Sequence, residues 1–177
     1  MLNPSLLYDS IRQSFHGTET LHIKSLDDER MHVVDFLIRR CPGEERELVE
    51  RFFSYFTREV FQKGDIIWRQ GDKSDSAKVL VSGDLISSLE NEAGTTESIT
   101  VGSVIGESGL VDNQNRNSTV QAVTKSVMYS LSRKSWELLK EKDPRCAHLL
   151  YRIVVRYLML RVQHCSNRIF ETRCLPI

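Results

Sequence analysis

Apolar and polar positions along the first third of the chain follow a helical period. The segment SLDDERMHVVDFLIRR places Ser25 as an N-cap ahead of Asp28, with acids in the first turn and Arg39 and Arg40 in the last, which predicts a helix. In EERELVERFFSYF one broad apolar stripe predicts a second amphipathic helix, and its members are expected in the core: Leu48, Val49, Phe52, Phe53 and Phe56. Residues 1–24 show no clear period and are interpreted as a lead-in.

The middle of the chain changes to the period of a sheet. Short segments rich in Val, Ile and Thr recur between glycine-containing turn signals: EVFQ, DIIW, AKVLV, DLISSLE, ESITV, STVQAV and SVMYSL. Many short strands at close spacing favour an antiparallel barrel or jelly roll. Within one of them, Val79 and Val81 are expected to face opposite to Lys78 and Leu80.

The last third returns to helix. SRKSWELLKEKDP stops at Pro144, and a long helix is predicted from Arg145 to about Arg168. Its apolar face comprises Leu150, Ile153, Val154, Tyr157 and Leu158, and its basic face comprises Arg145, Arg152 and Arg156. The predicted organisation is one domain in four parts: 1–24 lead-in, 25–57 N-terminal helical bundle, 58–132 β-roll, and 133–177 C-terminal helices.

Composition narrows the class of protein. Lys plus Arg equals Asp plus Glu, 24 against 24 in 177 residues, so no basic footprint indicates nucleic acid or an anionic membrane. The four cysteines lack CxxC spacing, which is typical of reduced thiols and a cytoplasmic location. LLYRIVVRYLMLRV is too short to span a bilayer and carries three arginines, so no membrane insertion is expected. A zinc site on His164, Cys165 and Cys174 is a weak alternative, because adjacent helix residues point to different faces.

The stretch VIGESGLVDNQNRNSTVQA, residues 104–122, carries the candidate chemistry. Gly106 permits close backbone approach, and a short turn of helix after it would direct partly positive amides at an anion. Arg116 supplies a planar fork of donors suited to phosphate, and Glu107 is an acceptor suited to a sugar hydroxyl. Together they predict a pocket for a phosphate joined to a ribose.

This stretch resembles the phosphate-binding cassette of the cyclic nucleotide-binding domain family, and QKGDIIWRQGDKSD and LVSGDL resemble the family's glycine-rich strand connections. The resemblance covers about Phe52 to Arg168. It implies an α+β fold: an eight-stranded antiparallel, jelly-roll-like β-roll with N-terminal helices, a short helix in the cassette 104–122 and two C-terminal helices. It also implies cAMP or cGMP as ligand, with no other cofactor.

The resemblance assigns roles to individual residues. Glu107, after Gly106, would bind the ribose 2′-hydroxyl. Arg116 and the amides around Ser108, Gly109 and Asn117 would hold the cyclic phosphate. Ser118 lies where the family reads the purine edge. The pattern is not complete, because Ile105 replaces a frequent aromatic, and Asn117 and Ser118 replace two smaller residues.

A narrower resemblance suggests a parent protein. YFTREVFQKGDIIWRQGD, ESITVGSVIGE and WELLKEKDP are similar to the cytoplasmic domains appended to some SulP-type sulfate permeases, in which a membrane transporter and a STAS domain come first. It implies an attached transporter or STAS partner. A transcription activator is disfavoured, because only ETRCLPI follows the long helix.

The sequence also bears on two other classes of function, an enzyme and an interaction scaffold. An enzyme is not expected, because no nucleophile elbow, HExxH or P-loop occurs in the sequence. The alternative to a sensor is a ligand-free β-roll acting as an interaction scaffold, with a homodimer through the apolar C-terminal helix; Glu107 and Arg116 would then form a structural ion pair. Trp68 and Trp136 are interpreted as core anchors, with purine stacking as the alternative. Tyr151 and Tyr157 are interpreted as packing residues that could alternatively cap a bound base.

Overall fold

In a computed structural model of the chain, residues 25–40, 43–90 and 96–173 are described. These residues form five helices and eight strands. The helices are α1 (Leu26–Arg40), α2 (Arg46–Phe53), α3 (Glu107–Asp112), α4 (Arg133–Lys142) and α5 (Pro144–Arg173). The strands are β1 (Thr57–Phe61), β2 (Ile66–Trp68), β3 (Ser76–Ser82), β4 (Leu85–Ser88), β5 (Thr96–Ile99), β6 (Val104–Ile105), β7 (Thr119–Ala122) and β8 (Ser126–Ser132).

The strands form two four-stranded antiparallel sheets, in the orders β1-β8-β3-β6 and β2-β7-β4-β5. The predicted fold class, an antiparallel β-roll with flanking helices, is confirmed. The pattern of residues indicated seven strands and missed β6, because two residues are too few to show alternation. Pairing of Val104 with Val79 and of Ile105 with Lys78 adds β6 to the first sheet and leads the chain into the cassette.

Two apolar cores lie on opposite faces of the β1-β8-β3-β6 sheet. The inner core draws on both sheets and therefore fills the space between them: Trp68, Leu80, Leu85, Ile99, Val120, Ala122 and Met128. The outer core joins the helices to this sheet, with Val79 and Tyr129 of the sheet packed beside Phe53 and Trp136 of the helices. Val79 and Leu80 thus face opposite sides, as the alternation predicted.

Polar contacts fasten helix α1 to this sheet. Glu29 accepts hydrogen bonds from Nε and Nη2 of Arg58 on β1, at 2.8 and 3.0 Å. Only 5% of the Glu29 side chain is exposed. Burial alone would raise the pKa of Glu29, but the hydrogen bonds from Arg58 and Tyr129 outweigh it and hold the pKa below its ordinary value. This ion pair fixes the start of the helical layer against the roll.

The apolar face predicted for helix α5 is only partly correct. Leu150, Ile153 and Val154 are buried in the outer core, but Leu158 is 44% exposed. Leu158 belongs to a second row on the described part of the helix, made of exposed Tyr151, Val155, Leu158, Met159 and Val162. The helix begins at Pro144 and ends at Arg173, beyond the predicted end near Arg168. No helix in the described ranges is long and apolar enough to cross a membrane.

Candidate functional site

The cassette is the connection from β6 through α3 to β7. Gly106 precedes α3 with φ 74°, in the left-handed region that favours glycine. A Cβ there would overlap Nη1 of Arg116 and lie 3.1 Å from Cη2 of Trp68. Gly109 is equally confined, because a Cβ there would overlap the side chain of Ser74. Both glycines are therefore required by close packing around the cassette.

Arg116 is the central residue of this region. Its side chain is only 4% exposed. Nη1 donates to the carbonyl oxygen of Gly106 at 3.3 Å, and Nη2 donates to Oγ of Ser76 at 3.2 Å and to Oδ1 of Asp75 at 3.3 Å. Nε is buried and has no hydrogen-bond partner among the described residues. A buried guanidinium with an unused N–H donor is suited to bind an anion.

The main chain of Arg116 is tied to the loop between β2 and β3. Its N–H donates to the carbonyl of Asp72 at 2.8 Å, and its own carbonyl accepts from the N–H of Gly71 at 2.7 Å. Because Asp75 ends the same loop and Ser76 begins β3, one continuous segment holds both the backbone and the side chain of the arginine.

The positive charge of Arg116 is buried, whereas the side chain of its ion-pair partner Asp75 is mostly exposed. Burial lowers the pKa of the guanidinium from its ordinary value, and Asp75, Asp72 and Glu107 oppose this shift. Arginine keeps its charge even so. The Asp75 side chain is 80% exposed, so its attraction is screened by water. The buried cation is thus only weakly compensated by its closest carboxylate.

The indole of Trp68 lies against the guanidinium, with Cζ of Arg116 3.8 Å from the ring centroid. Trp68 also belongs to the inner core, where it is 8% exposed. The sequence interpretation of Trp68 as a core anchor was correct and incomplete, since the same ring contacts the candidate phosphate-binding side chain.

Two hydroxyl groups lie on the inner face beside the cassette. Ser87 lies two residues after Leu85, and Ser118 lies two residues before Val120. Residues two apart in an extended chain point to the same face, and the side chains of Leu85 and Val120 belong to the inner core. Their Oγ atoms are 2.8 Å apart in a hydrogen bond. The residue predicted to read the purine edge is thus paired with a neighbouring strand.

A second buried cation occupies the inner face of β3. Lys78 is 7% exposed and lies on the side of Leu80. Its Nζ pairs with Oε2 of Glu59 and donates to Oγ of Ser130 at 3.0 Å. The alternating pattern placed Lys78 on this face but gave no signal that its charge would be buried and balanced there.

Arg133 links the cassette to the C-terminal helices. It is the first residue of α4, and its Nη2 donates to the carbonyl of Ser74 at 2.9 Å and to the carbonyl of Gly109 in α3. One guanidinium therefore holds the cassette helix, the loop before β3 and the start of α4 together.

The structure brings only part of the predicted site together. Gly106 and Arg116 are in direct contact, and Glu107, at the start of α3, acts electrostatically on Arg116. Gly109 is buried in α3, whereas Ser108 and Asn117 are exposed. Residues that sequence reasoning missed are Trp68, Asp75, Ser76, Ser87 and Arg133; only the glycine-rich IIWRQGDKSD stretch pointed near three of them.

Residues 58–143 match the family model of the cyclic nucleotide-binding domain. The chain is 28% identical over 134 residues to the cyclic AMP receptor protein of Thermus thermophilus, covering 70% of this chain and 62% of that protein. Together with the fold, these matches show that residues 58–143 are similar to the cyclic nucleotide-binding domain.

Solved structures show the same fold. A cyclic nucleotide-binding domain from Methylobacillus flagellatus KT superposes with a TM-score of 0.73 at 17% identity, over 85% of this chain and 87% of that one. The catabolite activator protein of Thermus thermophilus gives 0.60 at 25% identity, over 77% and 64%. The chain thus spans less than two thirds of the Thermus thermophilus proteins it matches.

Proposed function

We propose that this domain binds a cyclic nucleotide, cAMP or cGMP, and signals through its C-terminal helices to an attached effector. Arg116 and the amides around Ser108, Gly109 and Asn117 hold the cyclic phosphate, and Glu107 binds the ribose 2′-hydroxyl. The buried Arg116, with one donor unused among the described residues and a mostly exposed carboxylate as partner, is the observation that carries the proposal.

Charge supports a ligand with a single negative charge at the phosphate. On the inner face of the first sheet, Lys78 is already paired with Glu59. Arg116 is the cation whose compensation is weak, because Asp75 is largely in water. A cyclic phosphate carries one negative charge and several acceptor oxygens, which matches one guanidinium better than a dianionic monoester does.

Isothermal titration calorimetry with cAMP and cGMP tests the proposal. A charge-assisted hydrogen bond contributes about 1.5–3 kcal/mol, so Arg116→Ala is expected to weaken binding by on the order of tenfold to a hundredfold or more. Arg69→Ala, at an exposed arginine of the neighbouring loop, is the matched control and should bind as wild type does. Absence of binding by the wild type removes the function, and equal affinity of Arg116→Ala removes the site.

We also propose a parent protein, a SulP-type anion transporter of which this domain is a cytoplasmic part. The support is the similarity of YFTREVFQKGDIIWRQGD, ESITVGSVIGE and WELLKEKDP to the appended domains of that class. The complete reading frame of the gene tests this. Membrane-spanning segments and a STAS domain upstream would support the transporter, and a helix-turn-helix downstream would exclude it in favour of a transcription activator.

A second candidate function is a homodimerisation scaffold, favoured by the exposed row on α5. Val155, Leu158, Met159 and Val162 are between 44% and 64% exposed and recur at helical spacing. Light scattering over a range of concentrations, with and without nucleotide, separates the candidates. A dimer that forms without nucleotide and is lost in Val155→Asp, with no thermal shift on adding cAMP or cGMP, favours the scaffold.

A further inference from the structure

We propose that Trp68 is a positioning residue, which holds the Arg116 guanidinium in the orientation needed to receive an anionic ligand. The inference rests on the proposed function for the identity of the ligand. The position of the guanidinium itself is a property of the unliganded protein and can be measured separately.

The guanidinium occupies a slot with defined walls. The Trp68 ring covers it at 3.8 Å from Cζ to the centroid. The backbone of Gly106 lies at another side, close enough that a Cβ there would meet both Nη1 of Arg116 and Cη2 of Trp68. Ser76 and Asp75 bind Nη2 at its end. Rotation of the planar group about its long side chain is therefore restricted.

The slot orders the Arg116 side chain before a ligand binds. An arginine loses rotamer entropy when it is immobilised, and a ligand that had to order it would bind correspondingly more weakly. Stacking on an aromatic face attracts a cation without using any of its N–H donors. Trp68 can therefore restrain Arg116 without using Nε.

The position of Trp68 makes this effect local. Trp68 lies at the end of β2, paired with Val120 of β7, and its ring reaches the inner core. Val120 is 2% exposed in the same core. Val120→Ala therefore removes packing from that core without removing the aromatic face, and serves as a matched control for lost packing.

The first experiment compares affinities for cAMP and cGMP in a double-mutant cycle. Trp68→Leu is expected to weaken binding roughly threefold to thirtyfold, from the range of cation–π energies, and Trp68→Phe to recover part of the loss. In an Arg116→Lys background, which lacks the planar group, Trp68→Leu should change affinity by less than about twofold. Val120→Ala should bind like the wild type. A loss in Trp68→Leu that is equal in both backgrounds overturns the inference.

The second experiment needs no nucleotide. The side-chain Nε–H resonance of Arg116, assigned by its loss in Arg116→Lys, should be displaced by the ring current of Trp68. It should return toward the usual arginine position in Trp68→Leu and stay where it is in Val120→Ala. A resonance unmoved by Trp68→Leu refutes the positioning role. If the wild type binds neither nucleotide, the proposed function fails, and this resonance alone decides whether Trp68 orders the arginine.

Discussion

Arg133, at the first position of α4, donates a hydrogen bond to the carbonyl oxygen of Gly109 inside the cassette helix. The same guanidinium nitrogen donates to the carbonyl of Ser74, beside the residues that bind Arg116. A displacement of the cassette must therefore either lengthen these hydrogen bonds or move the Arg133 side chain with it. This contact gives a direct route from the candidate ligand site to the C-terminal helices, as a two-state coupling requires.

We expect Arg133→Gln to weaken the contact between the cassette helix and α4. Loss of charge-assisted bonds to two carbonyls should cost about 1.5–3 kcal/mol of stability and speed hydrogen exchange of the Gly109 and Leu110 amides. Arg145→Gln, at an exposed arginine on α5, is the matched control and should leave both measurements unchanged. Unaltered exchange in the cassette of Arg133→Gln would show that the contact does not hold it.

Gly106→Ala should be more harmful than the backbone angle alone explains. Alanine in the left-handed region costs about 1–2 kcal/mol, and here its Cβ would also overlap Arg116. Gly71→Ala separates the two effects, because Gly71 has φ 85° with open space around it. Urea denaturation should show a larger loss for Gly106→Ala, and only this variant should lose nucleotide binding. Equal losses in the two variants would contradict the overlap.

The Glu29–Arg58 pair predicts a dependence of stability on pH. The pKa of folded Glu29 is lowered, so its contribution is fully present above the unfolded pKa and is lost as pH falls through the folded pKa. Glu29→Gln leaves Arg58, whose side chain is 33% exposed, within reach of water. The loss of charge-assisted hydrogen bonds should cost about 1.5–3 kcal/mol at neutral pH, and the difference from the wild type should shrink on acidification. Thermal unfolding across pH measures this.

Asp27→Asn, at an exposed position of the same helix, is the control for that series and should change stability by no more than about 0.5 kcal/mol. A difference between Glu29→Gln and the wild type that persists unchanged at acid pH would exclude the ion pair as its source.

The Lys78–Glu59 pair should respond asymmetrically to substitution. The Lys78 side chain is 9% exposed and that of Glu59 is 35% exposed. Glu59→Gln strands a buried ammonium and should cost about 3 kcal/mol, whereas Lys78→Met leaves a carboxylate that water can reach and should cost less. The double variant should recover most of the loss, as measured by urea denaturation. A larger cost for Lys78→Met than for Glu59→Gln would refute this account.

The order of helices and strands could be predicted from the sequence because each element shows its own period. Helix α2 buries Leu48, Val49, Phe52 and Phe53 of its predicted stripe, whereas Phe56 follows the helix and is half-buried. Val79 and Leu80 face opposite cores. Strand β6 was missed because its two residues are defined only by pairing with β3. The sequence could not separate the exposed row on α5 from the buried one. Both rows consist of apolar residues at helical spacing, and only the packing of the folded helix determines which row is buried.

The site was predictable in part for a similar reason. Gly106, Glu107 and Arg116 lie within one short stretch, so their relation is visible in the sequence. Trp68 and Arg133 reach the cassette from other elements, at 48 and 17 residues from Arg116, and only the folded chain brings them there. The domain boundaries and the binding roles of all the predicted site residues stay predictions: Gly106, Glu107, Ser108, Gly109, Arg116, Asn117 and Ser118.

The separation of the two apolar cores by one sheet has a consequence for how such a domain can diverge. Side chains that line the roll and side chains that hold the helices point in opposite directions from the same strands, as Leu80 and Val79 do. Substitutions that are well separated and share no partners combine nearly additively. Substitutions inside the roll and substitutions at the packing surface of the helices can therefore accumulate in separate steps.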